Sequence, residues 1–436
     1  MQNNDNNPYR EFFTAIADML KLPATPGMKA VDAVRTIWGK EKGQKIKKLE
    51  NQLRREGVHR HLIRDFYNSN NNDSNLRQYT VLVSNQRYSS TIFTSPQRVE
   101  LRLSLSSVES NCVSNIHDPT YTKRLTKLMK MQSNKVAKKF RHLGVRNWDQ
   151  DIYRLVGDPF GGDKLRLSFS ISRYFSYRFT AGLLEDELFE SLIKHKNDVN
   201  RILFEHPNTL PIREQLLPNK DSLKHLSERI STGGISCVVA IARGEPYNDF
   251  LIPLQVRSQA VAEGRGVFTA SIQAWHQPNI GDYQNEVSLY WTVLKEMFEE
   301  IYRGEEVIKL SPHLKYNWYL KECPGVAYIH ENPEKVTLEL LGIGINALMG
   351  TYDCAILLVI HDPEYWDTYG NSMELFWETE KWLHLSTKEI MPTLQRAFND
   401  YGWLDQGMFS LSQGLLRLRE LDDKRVSYLD IGYELH

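Results

Sequence analysis

The chain has 436 residues, of which 41% are hydrophobic and 25% charged, with 54 Lys and Arg balancing 54 Asp and Glu. This is the composition of a soluble globular protein, and the length predicts two to three domains, each with its own core. The four cysteines (Cys112, Cys237, Cys323, Cys354) lie far apart without ligand spacing, which argues against disulfide staples or structural zinc and for reduced thiols in the cytoplasm.

The neutral total conceals a split. Residues 1–150 carry 26 Lys and Arg against 13 Asp and Glu, and the rest of the chain carries 28 against 41. Such asymmetry fits an anionic partner for the N-terminal part, or two solvated domains that attract each other.

The polar start MQNNDNNPYR leads into no apolar run, so no secretory signal is expected. Phe12, Phe13, Ile16, Met19 and Leu20 have helical spacing, broken at Pro23–Gly27, and helix is expected again over Met28–Trp38 and Lys45–Phe66. The polar stretch Asn68–Asn75 is a candidate boundary. Tyr79–Val83 and Val99–Leu105 alternate as strands do. Helices are expected at Thr122–Met131 and Ser133–His142, with Ser133 as N-cap and Gly144 as the stop. A strand at Leu165–Ile171 and a helix at Ala181–His195 follow. SNQRYSSTIFT (Ser84–Thr94) echoes SISRYFSYRFT (Ser170–Thr180), the mark of either two related strand units or a chance match.

From Gly233 the texture is α/β. Strands are expected at Ile235–Ala242, Phe250–Val256, Val267–Ala274, Val336–Ile343 and Ala355–Ile360. Helices are expected at Val287–Tyr302, Met373–Leu383, Thr387–Asn399 and Leu411–Leu421. The apolar stretch Leu340–Ile360 contains Asn346, Asp353 and three glycines, so it reads as two core strands and a turn rather than a membrane span. Its Gly342-Ile-Gly-Ile-Asn-Ala matches GxGxxA, but the strands around it lie too close for the crossover helix of a dinucleotide site.

The segment that carries chemistry is Lys295-Glu-Met-Phe-Glu-Glu-Ile-Tyr. Glu296, Glu299 and Glu300 fall at i, i+3 and i+4, so three carboxylates project from one helical face. Such a face is destabilising unless neutralised, and a hard divalent cation such as Mg²⁺ neutralises it well. The bland reading is a solvated acidic face opposite a core of Met297, Phe298 and Ile301.

In register, this segment resembles the Nudix box. Gly281 takes the leading Gly position, and Glu296, Met297, Glu299 and Glu300 take theirs. Departures are Val287 at the first Glu position (with Glu286 one residue early), Lys295 for Arg, Tyr302 for the closing Gly, and Gln273 where a substrate-side Glu is expected. The resemblance is to divergent Nudix-like domains attached to some bacterial regulators and sensors. It covers about residues 235–420 and implies an α/β/α sandwich around a mixed sheet. It also implies Mg²⁺ on Glu296, Glu299 and Glu300, and a nucleoside diphosphate-linked substrate for hydrolysis. Arg257, Gln273, Trp275 and Lys295 are the expected substrate-side residues, with bracing of the helix as the alternative role for Arg257 and Lys295; a core Trp is the plainer account of Trp275.

The fold expected is therefore α/β, with a basic helical region at 1–70, a mixed region at 76–230 and the Nudix-like domain at 231–436. The functional expectation is a nucleotide-handling protein. It is either a hydrolase or a ligand-sensing module whose basic runs Lys40–Arg64 and Lys123–Arg146 contact nucleic acid or a protein partner. The plainer account of those runs is solvated amphipathic helices. No covalent-hydrolase or HExxH pattern is present.

Overall fold

The computed structural model describes residues 48–68, 74–105, 110–112, 122–143, 149–161, 165, 167–205, 208–258, 266–304, 314–374, 379–400, 402–422 and 424–436. The helices expected at Phe12–Leu20 and Met28–Trp38, and the Gly144 stop, lie outside the described residues.

In chain order the main elements are α1 (Val58–Asn68), β1 (Arg77–Val83), β2 (Gln86–Thr94), β3 (Leu103–Ser104), β4 (Ser110–Cys112) and α2 (Lys123–Leu143). There follow β5 (Asp151–Val156), β6 (Leu167–Arg173), α3 (Leu183–Lys194), β7 (Gly233–Arg243), β8 (Asp249–Arg257), β9 (Phe268–Thr269) and β10 (Ile272–Trp275). The remainder comprises α4 (Leu289–Glu296), β11 (Val336–Asn346), β12 (Thr351–Ile360), β13 (Thr379–Ser386), α5 (Ile390–Asp400), α6 (Asp405–Leu421) and β14 (Ile431–Leu435).

Among the described residues, eleven strands make one mixed sheet in the order β13-β8-β7-β12-β11-β2-β1-β14, with β9 on β8, β10 on β7 and β3 on β11. Its parallel pair is β7 with β12. These two strands are apolar over most of their length because both faces are covered. Alternation deals Cys237, Val239, Ile241, Ile356 and Leu358 to one face, where Val293, Leu294, Met297 and Ile301 pack. Val238, Ala240, Leu357 and Val359 go to the other, against Phe409, Leu411, Leu415 and Leu418 of α6. The sheet thus has a helix on each side, an α/β architecture as expected.

The sheet is also extended by strands from outside residues 235–420. β1 and β2 form a hairpin whose turn residues Ser84 and Asn85 have φ of 49° and 64°, a left-handed pair that matches the strand twist. β2 docks on β11 and β14 closes on β1. A second sheet, β4-β6-β5, abuts it, the Tyr153 and Leu155 N–H groups of β5 donating to the His276 and Ser231 carbonyls at 3.1 and 2.9 Å.

Several expectations are corrected. Val99–Leu105 is not a strand: Pro96–Glu100 is a helical turn and pairing is confined to Leu103–Ser104. α2 runs unbroken through Ser133, whose hydroxyl donates back to the Lys130 carbonyl at 3.5 Å instead of capping a new helix. The expected strand at Val267–Ala274 divides into β9 and β10. The expected helix at Met373–Leu383 fails, because Thr379–Ser386 pairs antiparallel with β8 as an edge strand; the backbone bonds offered by β8 outweigh local helix propensity. The echoed segments are no structural repeat, since Ser84–Thr94 is turn and strand whereas Ser170–Thr180 leaves β6 for a helix at Tyr174–Arg178.

Leu340–Ile360 is the β11–β12 hairpin, as expected, and among the described residues no helix is long and apolar enough to cross a membrane. Gly342 and Gly344 lie within β11 rather than in a phosphate loop. A Cβ on Gly344 would stand 2.3 Å from Ile92 Cγ2, so glycine permits β2 to approach. Cys237, Cys323 and Cys354 are free, buried thiols, and burial pushes all three up from the ordinary thiol range.

Candidate functional site

The acidic segment begins on α4 and passes into a π-helical turn, Met297–Ile301. Val293, Leu294, Met297 and Ile301 face the sheet, which fixes the rotation of the turn. Contrary to a solvated acidic face, Lys295, Glu296, Glu299 and Glu300 are only 8%, 5%, 4% and 3% exposed. Charges this buried must be compensated locally.

The compensation is internal. Lys295 Nζ lies 2.6 Å from Glu296 Oε1 and 3.4 Å from Glu299 Oε2. Glu300 Oε2 accepts from Gln255 Nε2 at 2.8 Å and from the Gln273 backbone N–H at 3.1 Å. The carboxylates of one helical turn are thereby divided, two to an ammonium and one to the sheet.

The residues expected on the substrate side surround this cluster in different ways. Arg257 closes β8 and donates through Nη1 to the Gln273 carbonyl at 3.3 Å. The Gln273 side chain accepts from Thr269 Oγ1 at 2.9 Å and donates to the Ile235 carbonyl at 3.3 Å. Trp275 turns away, half-buried against Tyr174 and Tyr177 with ring centroids 6.1 and 5.2 Å apart. His276, beside it, is a core residue. Its Nε2 donates to the Val287 carbonyl at 2.9 Å, leaving Nδ1 to accept from Tyr352 Oη at 2.9 Å. Burial foremost, together with the positive charge of Lys295, lowers its pKa to about 3, so the ring is neutral.

The loop before the helix is held by a residue one place off the family position. Gly281 has φ of 88°, a conformation glycine adopts without strain. The Glu286 carboxylate gathers the backbone N–H groups of Asn279, Ile280, Gly281 and Asp282 at 2.7–3.3 Å. Glu286 thus braces the loop while Val287 is buried in the core.

Sequence reasoning missed Gln255 and Tyr319. Gln255 stands in an otherwise apolar strand, and a lone amide there was the available signal. Tyr319 donates to the Trp291 carbonyl at 3.0 Å and lies near enough to Lys295 and Glu299 for their charges to act on its phenol, which burial raises far above the ordinary range.

The Nudix resemblance implies Mg²⁺ on Glu296, Glu299 and Glu300, and the donor set as arranged does not fit it. Two of the carboxylates hold Lys295 and the third holds Gln255 and the Gln273 amide. Among the described residues no group of three or more His, Cys, Asp or Glu converges as a metal ion requires.

Comparison with known proteins adds no relative: no family model matches the chain, and no curated protein matches it in sequence.

Proposed function

We propose that the protein is a Nudix-like nucleotide-handling module that recognises a nucleoside diphosphate-linked compound without efficient turnover. The observation that carries this reading is the internal use of the box carboxylates: Lys295 holds Glu296 and Glu299, and Gln255 and Gln273 hold Glu300. A buried pair in that state costs energy to open, so the cluster is better suited to shape a site than to hydrolyse phosphate. Support for the family comes from the Gly281–Glu286 loop ahead of the three glutamates.

The test is a panel of nucleoside diphosphate-linked compounds, scored for shift in melting temperature and for phosphate-linked turnover with Mg²⁺, on wild type and Glu300→Gln. Stabilisation without turnover is expected. Turnover that disappears in Glu300→Gln makes the protein a hydrolase, and neither binding nor turnover from folded protein refutes the nucleotide reading.

A nucleic-acid contact is proposed for α2, on the observation that Lys123, Arg124, Lys127 and Lys130 are exposed, while Lys135 pairs with Glu190 at 3.3 Å. In contrast, Arg54 and Arg60 of the other basic run are committed to Glu185 and Asp405.

A further inference from the structure

We propose that Lys295 is a built-in cation, occupying with its ammonium the electrostatic role that a divalent metal fills in an acidic site of this kind. The inference rests on the reading of this turn as a Nudix-like site, but it concerns a charge and not a nucleotide.

Glu296, Glu299 and Glu300 would place three negative charges on one and a half helical turns, each more than nine-tenths buried. Like charges so placed repel, and in a low-dielectric setting the repulsion is poorly screened. Lys295 precedes the first and sits four residues before the second, and Nζ reaches both at 2.6 and 3.4 Å. An ammonium is a compact point charge on a flexible stem, able to lie between two carboxylates where the wide planar fork of an arginine fits less readily.

Glu300 Oε2 is engaged by Gln255 and Gln273, both anchored in the strands. Gln255 Nε2 is itself fixed by a 2.6 Å bond to the Ser271 carbonyl. A metal entering here would have to displace the ammonium and also break the hydrogen bonds to Glu300. Lys295 is accordingly a discriminating residue: it makes the site indifferent to divalent cations while its carboxylates are retained.

Mn²⁺ is the probe, followed by electron paramagnetic resonance of the free ion and by melting temperature, on the full chain without nucleotide. Wild type is expected to take up no Mn²⁺ saturably at millimolar concentration and to melt unchanged by it. Lys295→Met is expected to melt lower, to recover part of the loss in Mn²⁺, and to bind one ion. Its affinity should exceed that of wild type by roughly ten- to a thousandfold, the range over which one adjacent charge biases a carboxylate. Adding Glu299→Gln to Lys295→Met should abolish that gain.

Saturable uptake by wild type that Glu299→Gln abolishes overturns the proposal, as does a folded Lys295→Met that gains nothing. Lys295→Gln serves as the second neutral variant. If neither neutral variant folds, wild-type uptake decides alone, its absence supporting the built-in cation. A failed nucleotide screen leaves these outcomes untouched, so failure of the functional reading and failure of this inference are distinguishable.

Discussion

At Asp405 the carboxylate is buried, yet it accepts from Arg60 Nε at 2.7 Å and from Thr91 Oγ1 at 2.6 Å, with His59 Nε2 3.8 Å away. Burial by itself would raise its pKa; the Arg60 charge and the other partners overcome that and hold it well below the usual carboxylate range. A depressed folded pKa stabilises the protein above the unfolded value and loses that contribution as pH falls. Wild-type stability in urea is therefore expected to decline as pH drops below about 4, the unfolded Asp value, and more steeply than in Asp405→Asn. At pH 7 that variant should be less stable by about 3 kcal/mol, because it leaves the Arg60 charge without its partner. Glu286 permits a second residue-scale prediction. Glu286→Ala removes the acceptor of four loop N–H groups, so a loss of about 2–4 kcal/mol in urea unfolding is expected, on the scale of charge-assisted bonds. The loss should come with increased amide exchange at 279–282.

At the scale of elements, β11 depends on glycine where β2 crosses it. Gly344→Ala puts a Cβ against Ile92 and should destabilise by about 1–3 kcal/mol, the usual cost of overpacking; Ile92→Ala in the same chain should relieve part of it, which a double-mutant cycle reads directly. On α2 the exposed basic face makes the nucleic-acid proposal measurable. Reversing Lys123, Lys127 and Lys130 to Glu should weaken binding to a duplex by fluorescence anisotropy and flatten its salt dependence, since each lost phosphate contact reduces the slope by about one. Unchanged affinity would leave α2 as a solvated helix.

For the whole molecule, the decisive feature is closure of the sheet by segments distant in sequence. β14 runs antiparallel to β1 from Tyr79↔Leu435 to Val83↔Ile431, and Tyr79 Oη meets Ser412 Oγ at 2.9 Å and Gln413 Nε2 at 2.7 Å on α6. Two fully buried arginines tie the N-terminal half to the β11–β12 turn. Arg213 donates to the Leu348 carbonyl at 2.8 Å and Arg229 to that of Gly350 at 3.0 Å. Truncation after Asp430 is expected to lower the melting temperature and to promote self-association on gel filtration, because it bares the apolar face of β1 and leaves its edge unpaired.

The central strands β7, β8, β11 and β12, the helices over Val287–Tyr302 and Leu411–Leu421, and the shared face of Glu296, Glu299 and Glu300 were legible in the sequence. Their apolar runs and helical spacing express local periodicity, which a single chain displays openly. Tertiary structure decided whatever depends on a partner far along the chain. It made Thr379–Ser386 a strand because β8 offered an edge, and it recruited β1, β2 and β14 to the sheet. It also turned an acidic helical face inward, where Lys295, Gln255 and the Gln273 amide share its charge. The carboxylates are named by spacing, but what neutralises them is set by burial and by residues contributed from two strands, and no period in the sequence encodes that.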